Sequence, residues 1–301
     1  MTAKTSMTKE ATTEFVTLDN GRTAAVHEAP GGGDSVVLLF HPAPGAGLFD
    51  PDPKVTADRG VTLVEIDRPG YGGSQPLAAD EWATVAAAAD DAVAVLDRRG
   101  YRSVGVVGWS AGGRIALALA ARRPDLVERV AVVATPAPHD EVPWMPADIA
   151  AAVDALRGRS AKDVHAAMTR QLQDYVTMVV QNPEIGLEML GRSDADGPVL
   201  GRPEAAERFI DLLRAAFVQG SIGLVSDMAG YTLQPWGFEP ADVAAESLLM
   251  YGSSDPIARP DHGEWWQRQL PNAHLEVVSG AGHLLITPEW ERVLEHLVPA
   301  R

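Results

Sequence analysis

Cysteine is missing from all 301 residues of the chain. Its absence excludes disulfide bonds, a thiolate nucleophile and thiolate-bound zinc or iron–sulfur clusters, so any covalent catalyst must be another residue type. Positive charge is scarce as well: Lys and Arg total 25 against 41 Asp and Glu, for a net charge of −16. Such a field repels phosphate backbones and anionic lipid surfaces, so neither nucleic acid nor a membrane is an expected partner. Long hydrophobic runs are also lacking. No stretch approaches the ~18 apolar residues that a bilayer-spanning helix needs, and residues 1–14, rich in Thr and Lys, contain no apolar core of the secretory kind. The expectation is a soluble, cytoplasmic chain with a flexible N-terminal tail over 1–14. What is present is ordinary for a globular protein, 46% hydrophobic and 22% charged, and the length suffices for a large core.

After the tail, residues 15–18 and 23–27 flank Asp19-Asn20-Gly21, a hairpin signal because Asn and Gly tolerate the positive φ of tight primed turns. Continuous apolar runs follow at 36–40, 61–66, 104–107 and 130–134, without the alternation of half-exposed strands. This is the signature of strands buried on both faces of a parallel sheet. Helical stretches separate them: one capped by Asp80 and ending near Gly100, another over 111–123 stopped by Pro124. Strands alternating with helices define βαβ units and a doubly wound α/β fold. The rhythm breaks after Thr135, where Pro136, Pro138, Pro143 and Pro146 crowd together. Helical patterns then run over 147–156, 161–180, 183–190 and 204–218, with a shorter piece at 224–228. Strand-like runs resume at 247–251 and 275–278, with helices over 263–269 and 288–297. The reading is an eight-stranded, mostly parallel sheet built from 15–136 and 241–301, with a helical insertion over 137–240 after the sixth strand.

Ser110 lies in Gly108-Trp109-Ser110-Ala111-Gly112. The G-x-S-x-G string is weak by itself in a Gly-rich chain; its weight comes from following a buried strand and opening a helix, where a tight elbow lifts the hydroxyl above the sheet edge. The competing reading is a serine that only caps the helix. A serine hydroxyl needs a base, and the base needs an acid to orient it. His283 in Gly280-Ala281-Gly282-His283 follows the last strand, and Asp255 in Gly252-Ser253-Ser254-Asp255-Pro256 follows the one before. All three fall at C-terminal strand ends, where open α/β sheets bind ligands. Asp255 as a turn former before Pro256 and His283 as a structural loop residue remain the alternatives.

These segments, with His41-Pro42-Ala43-Pro44-Gly45-Ala46-Gly47 and Asp67-Arg68-Pro69-Gly70-Tyr71-Gly72-Gly73-Ser74, resemble the α/β-hydrolase superfamily over nearly the whole chain. The resemblance implies an oxyanion hole formed by the backbone N–H groups of Ala43 and Ala111. It departs from the family pattern at Pro42, where glycine is usual; proline has no N–H, but the donor on Ala43 is retained. His41, Asp67 and Arg68 read as residues that fix their loops. Dehalogenases and epoxide hydrolases of this fold carry Asp at the elbow, so Ser110 points instead to acyl transfer through an acyl-enzyme. The insertion corresponds to the family's lid. There Trp144, Met145, Met168, Met178, Met189, Phe217, Met228 and Trp236 are candidates to line a substrate pocket, although at helical spacing the stronger reading is that most of them simply pack the lid; Trp109, beside the nucleophile, is a further candidate, with packing against the sheet as its alternative. No metal-ligand spacing, Walker loop or G-x-G-x-x-G occurs where a metal or nucleotide cofactor would need it, and neither is expected. The functional expectation is a serine esterase for a small or medium, largely apolar ester. Neutral substrates are favoured by the charge of −16. The alternatives are a ligand-binding member with little turnover, or a peptidase, thioesterase, lactonase or cofactor-free haloperoxidase on the same scaffold.

Overall fold

The structure, a computed structural model, describes residues 11–299. Eight strands form one sheet: β1 (Thr12–Thr17), β2 (Thr23–Ala29), β3 (Ser35–Phe40), β4 (Val61–Ile66), β5 (Gly105–Trp109), β6 (Arg129–Val133), β7 (Glu246–Gly252) and β8 (Ala273–Val278). Their spatial order is β1-β2-β4-β3-β5-β6-β7-β8. β2 runs antiparallel to both β1 and β4, and every other pairing is parallel. The continuous apolar runs are the central strands, and their side chains are buried on both faces. The edges differ: β1 is almost wholly exposed and β8 half-exposed, which explains their weaker apolar patterns.

Several expectations shift locally. Residues 12–14, assigned to the tail, belong to β1, where pairing with β2 satisfies their backbone; residues 1–10 lie outside the described residues. The first hairpin closes through residues 18–22, with Leu18 and Arg22 bonded across the loop, and only Gly21 takes positive φ, at 82°. It is a longer loop than a two-residue primed turn. Asp80 is not a helix cap. The helix α2 (Val85–Arg99) begins at Thr84, whose hydroxyl accepts from the Ala87 N–H, while the preceding stretch holds Trp82 against His165 of the insertion. A short helix, α1 (Pro53–Asp58), was too brief for periodicity to reveal, although Asp52 caps it and Pro53 opens it.

Between β6 and β7 lie α4 (Ala147–Asp154), α5 (Ala161–Gln181), α6 (Gly197–Leu200), α7 (Pro203–Ala216) and α8 (Ile222–Leu233), preceded by α3 (Gly112–Arg122) and followed by α9 (Pro260–Gln269) and α10 (Trp290–Leu297). Phe209 of α7 packs against Phe49 and Trp109 with ring centroids 5.1 and 5.8 Å apart, joining the insertion to the sheet. A second tie is ionic. Buried Arg68 pairs with Asp227 of α8 through Nε and Nη2, at 3.1 and 2.6 Å. Among the described residues no helix is long and apolar enough to cross a membrane.

Under the sheet, Trp290 Nε1 donates to Thr56 Oγ1, which donates to Asp50 Oδ1. Burial pushes the Asp50 carboxyl up to about 6, against the hydrogen bonds from Thr56 and the Asp52 N–H that favour its ionised form. A carboxyl that holds its proton more tightly folded than unfolded favours the fold at low pH and costs stability as pH rises from about 4 to 6. Both hydrogen bonds fall on Oδ1, which asparagine retains. Asp50→Asn is therefore expected to stabilise the protein by about 1–2 kcal/mol at pH 7.5 and by little at pH 4, checked by urea melts at the two pH values.

Candidate active site

β5 delivers Ser110 into a turn with φ of 53°, a left-handed conformation that costs a non-glycine residue ~1–2 kcal/mol. The surroundings hold it there. The Ser110 N–H donates to Val133 O at 2.8 Å, and its carbonyl accepts from Thr135 Oγ1 at 2.7 Å and from the Gly113 N–H at 3.1 Å. Two glycines are sterically required. A Cβ at Gly108 would lie 2.4 Å from the Gly112 backbone, and one at Gly112 would lie 2.1 Å from Phe40 O. Only without them can α3 begin so close to β3 and β5.

His283 and Asp255 meet across the loops after β8 and β7, with His283 Nδ1 to Asp255 Oδ2 at 2.7 Å and both side chains buried. Oδ1 of Asp255 accepts from the N–H groups of Ile257 and Ala258, at 2.8 and 2.9 Å. Burial alone would push this carboxyl up; the histidine's charge and hydrogen bond, together with the two N–H donors, overcome it and hold the group below the usual carboxylate range. Asp255 therefore stays ionised and its imidazole partner carries the proton on Nδ1, leaving Nε2 free to accept.

The third loop is that of His41 to Gly47. Ala43 and Ala111 line the same small cavity as Ser110 and His283, and among the described residues neither of their N–H groups has a hydrogen-bond partner. His41 is wholly buried, and burial together with the nearby Arg68 charge keeps its pKa well below normal. Its neutral ring bridges Pro42 O and the Arg68 N–H, while Arg68 Nη1 and Nη2 donate to the carbonyls of His41 and Pro42 at 2.6 and 2.9 Å. His41 thus bonds within its own loop, and Arg68 reaches across from the loop after β4 to hold it as well.

Beside this cavity of about 100 Å³ lies a larger one of about 270 Å³, walled by Trp144, Met145, Met168, Met189, Leu224 and Met228. Ala43, Trp144, Met189 and Met228 border both. Trp144 and Met145 thus line the apolar cavity. Four other candidates line neither cavity. Trp109 is fully buried between Phe49 and Phe209, and its indole N–H donates to His283 O at 3.0 Å, so it supports the histidine loop from beneath. Met178 is 46% exposed on the outer side of α5, and Phe217 is packed in the core at the end of α7. Trp236 lines neither of these cavities; it stacks on Trp266 and over the Arg114 guanidinium, bordering a third, more polar space.

Sequence reasoning passed over three contributors. Asp196 of the insertion accepts from the Leu284 N–H at 2.9 Å, next to His283. Arg114 lines the cavity of Ser110; its signal was a charge inside the otherwise apolar start of α3. Gly191, with φ of 75°, lies against the His283 ring: a Cβ there would approach ring atoms to 2.9 and 3.0 Å and Ile257 Cδ1 to 2.8 Å. Gly191→Ala must displace that ring. A kcat loss of about 10- to 100-fold is expected, because a shift of an ångström at a reacting group costs that much; steady-state kinetics on an aryl ester checks it. Among the described residues no cluster of three or more His, Asp or Glu could hold a metal ion.

A serine at a strand–turn–helix elbow, faced by a buried histidine–aspartate pair at the C-terminal edge of a mostly parallel sheet, is the architecture of the hydrolases built on an α/β sheet. Residues 35–288 match the model of the alpha/beta hydrolase fold family, and the chain belongs to that family. It is 26% identical over 272 residues to a pimeloyl-[acyl-carrier protein] methyl ester esterase of Nitrosomonas europaea, covering 86% of this chain and 93% of that protein. It is also 26% identical over 305 residues to a 2-hydroxy-6-oxononadienedioate/2-hydroxy-6-oxononatrienedioate hydrolase of Burkholderia vietnamiensis, covering 97% and 95%. Among solved structures, an esterase from Exiguobacterium antarcticum superposes with a TM-score of 0.70 at 19% identity, over 95% of this chain and 98% of that one.

Proposed function

We propose that the protein is a serine hydrolase that cleaves a small-molecule carboxylic ester through an acyl-enzyme. The observation that carries the reading is the buried 2.7 Å contact between His283 Nδ1 and Asp255 Oδ2, on a histidine that shares one cavity with Ser110 and the free N–H groups of Ala43 and Ala111. In this mechanism Ser110 Oγ attacks the ester carbonyl as its proton passes to His283 Nε2. The carbonyl oxygen gains negative charge and is met by the N–H groups of Ala43 and Ala111. His283 returns the proton to the alkoxide leaving group, the C–O bond breaks, and the acyl group remains on Ser110. Water, deprotonated by His283, attacks the acyl carbonyl by the same route and releases the acid.

The segment over 137–240 acts as a lid in this reading: its helices supply most of the apolar wall, and Gly191 and Asp196 brace the histidine loop. An apolar acyl or alcohol group fits the cavity of about 270 Å³. The esterase names among the relatives support the same chemistry. The test is a series of 4-nitrophenyl esters from acetyl to octanoyl. The kcat/KM should climb by up to about fourfold per methylene until the cavity is full, since burying each CH₂ is worth about 0.8 kcal/mol; absence of turnover on every member would refute the proposal.

A further inference from the structure

Arg114 is the least expected side chain near the candidate nucleophile. It sits one helical turn beyond Ser110, is only 2% exposed, and forms no salt bridge among the described residues. The other fully buried arginine, Arg68, is paired with Asp227, which is already engaged through both its oxygens. Arg114 Nε and Nη2 donate to Pro136 O at 3.3 and 2.9 Å, and Nη2 also reaches Ala137 O at 3.4 Å. Its guanidinium is held between the rings of Tyr231 and Trp236, 4.5 and 4.4 Å from their centroids. Nη1 has no hydrogen-bond partner among the described residues. Burial draws the group down to about 10, which leaves it a cation at neutral pH.

A buried charge without a contacting counter-ion is costly, and the more distant Asp227 charge, two carbonyls and two aromatic faces offset that only in part. The side chain borders two spaces at once. One is the cavity of Ser110 and His283; the other, of about 110 Å³, is polar and also lined by His139, Arg157 and Gln234. Trp144 borders both, and its buried indole N–H is without a partner. The acidic residue at this second space, Asp140, is exposed and lies 3.9 Å from Arg157.

Resting on the hydrolase reading above, we propose that Arg114 is the anchor for an anionic group of the substrate, so that the preferred substrate is an ester carrying a free carboxylate on one side of the scissile bond and an apolar group on the other. The carboxylate accepts from Arg114 Nη1 and the Trp144 indole N–H, and the apolar group enters the methionine-lined cavity. The net charge of −16 argued for neutral esters; a local cation reverses that preference where it matters, because the buried guanidinium acts at short range in a site shielded from the outer field.

The test compares kcat/KM for two matched pairs, each an acid and its isopropyl isostere: mono-4-nitrophenyl adipate against 4-nitrophenyl 6-methylheptanoate, and 3-carboxyphenyl butanoate against 3-isopropylphenyl butanoate. In one pair the acid should win by roughly 30- to 100-fold, the value of charge-assisted hydrogen bonds in a buried site. Arg114→Met should bring that ratio to one or below, and Arg114→Lys should retain part of it. A wild-type ratio of one or less in both pairs, or a ratio that survives Arg114→Met, overturns the proposal. Should Arg114→Met fail to fold, the wild type decides: free adipate inhibits competitively and more weakly at high salt, or it does not inhibit and the proposal falls. Turnover of the neutral members with no preference for the acids sinks only the anion site, whereas no turnover of any of the four sinks the hydrolase reading itself.

Discussion

Ser110→Ala is expected to lower kcat on a 4-nitrophenyl ester by about 10⁵- to 10⁶-fold, the cost of removing the nucleophile from a triad that acts as a unit. The folded state should not notice. Ser110 Oγ makes no hydrogen bond within the described residues, and the positive φ of 53° is held by backbone bonds to Val133 O and from Thr135 Oγ1 that alanine keeps. A change of less than about 0.5 kcal/mol in unfolding free energy is therefore predicted, as for substitutions that remove no structural contact. Combining a urea melt with kinetics separates a lost nucleophile from a lost fold.

Asp255→Asn is the second large effect, and its cause is a tautomer. Two backbone N–H donors, from Ile257 and Ala258, face Oδ1. In asparagine the oxygen must stay toward them, which turns the amide NH₂ toward His283 Nδ1. That nitrogen can then only accept, so the imidazole proton moves to Nε2, and the nitrogen facing Ser110 is no longer a base. A loss of about 10⁴-fold in kcat follows, with KM little changed. Raising the pH does not rescue it, because the fault lies in which nitrogen is protonated and not in how many protons the ring holds. A pH–rate profile of the variant checks this: activity climbing back toward the wild-type level at high pH would refute the tautomer account.

The parts of the fold that could be read from sequence are those whose determinants are local. β3 to β7 announce themselves because burial on both faces demands unbroken Val, Leu and Ile, and the elbow at Ser110 because tight turning demands Gly108 and Gly112. The order of Ser110, Asp255 and His283 along strand ends was legible because Ser110 and Asp255 lie just past the buried runs of β5 and β7, and His283 follows the Gly-rich loop after the half-exposed β8. What escaped depends on packing between distant segments. Periodicity identifies α5 and α7 but not which face meets the cavity, so Met178 is in fact exposed and Phe217 packed in the core. Trp109, next to the nucleophile in sequence, ends β5 and is packed between Phe49 and Phe209 instead of lining the cavity, a contact made by segments distant in the chain. Gly191 and Asp196 touch the His283 loop only because the insertion folds back over the sheet.

The central claim is that Ser110 is the nucleophile. Treatment with a fluorophosphonate followed by tryptic mapping tests it directly, since cleavage after Arg102 and Arg114 isolates residues 103–114 in one peptide. The account predicts a single adduct per chain, located by fragmentation on Ser110 and not on Ser103, appearing in step with the loss of ester hydrolysis and absent from Ser110→Ala. Inactivation with the adduct on another residue, or full labelling of Ser110 with hydrolysis undiminished, would contradict it.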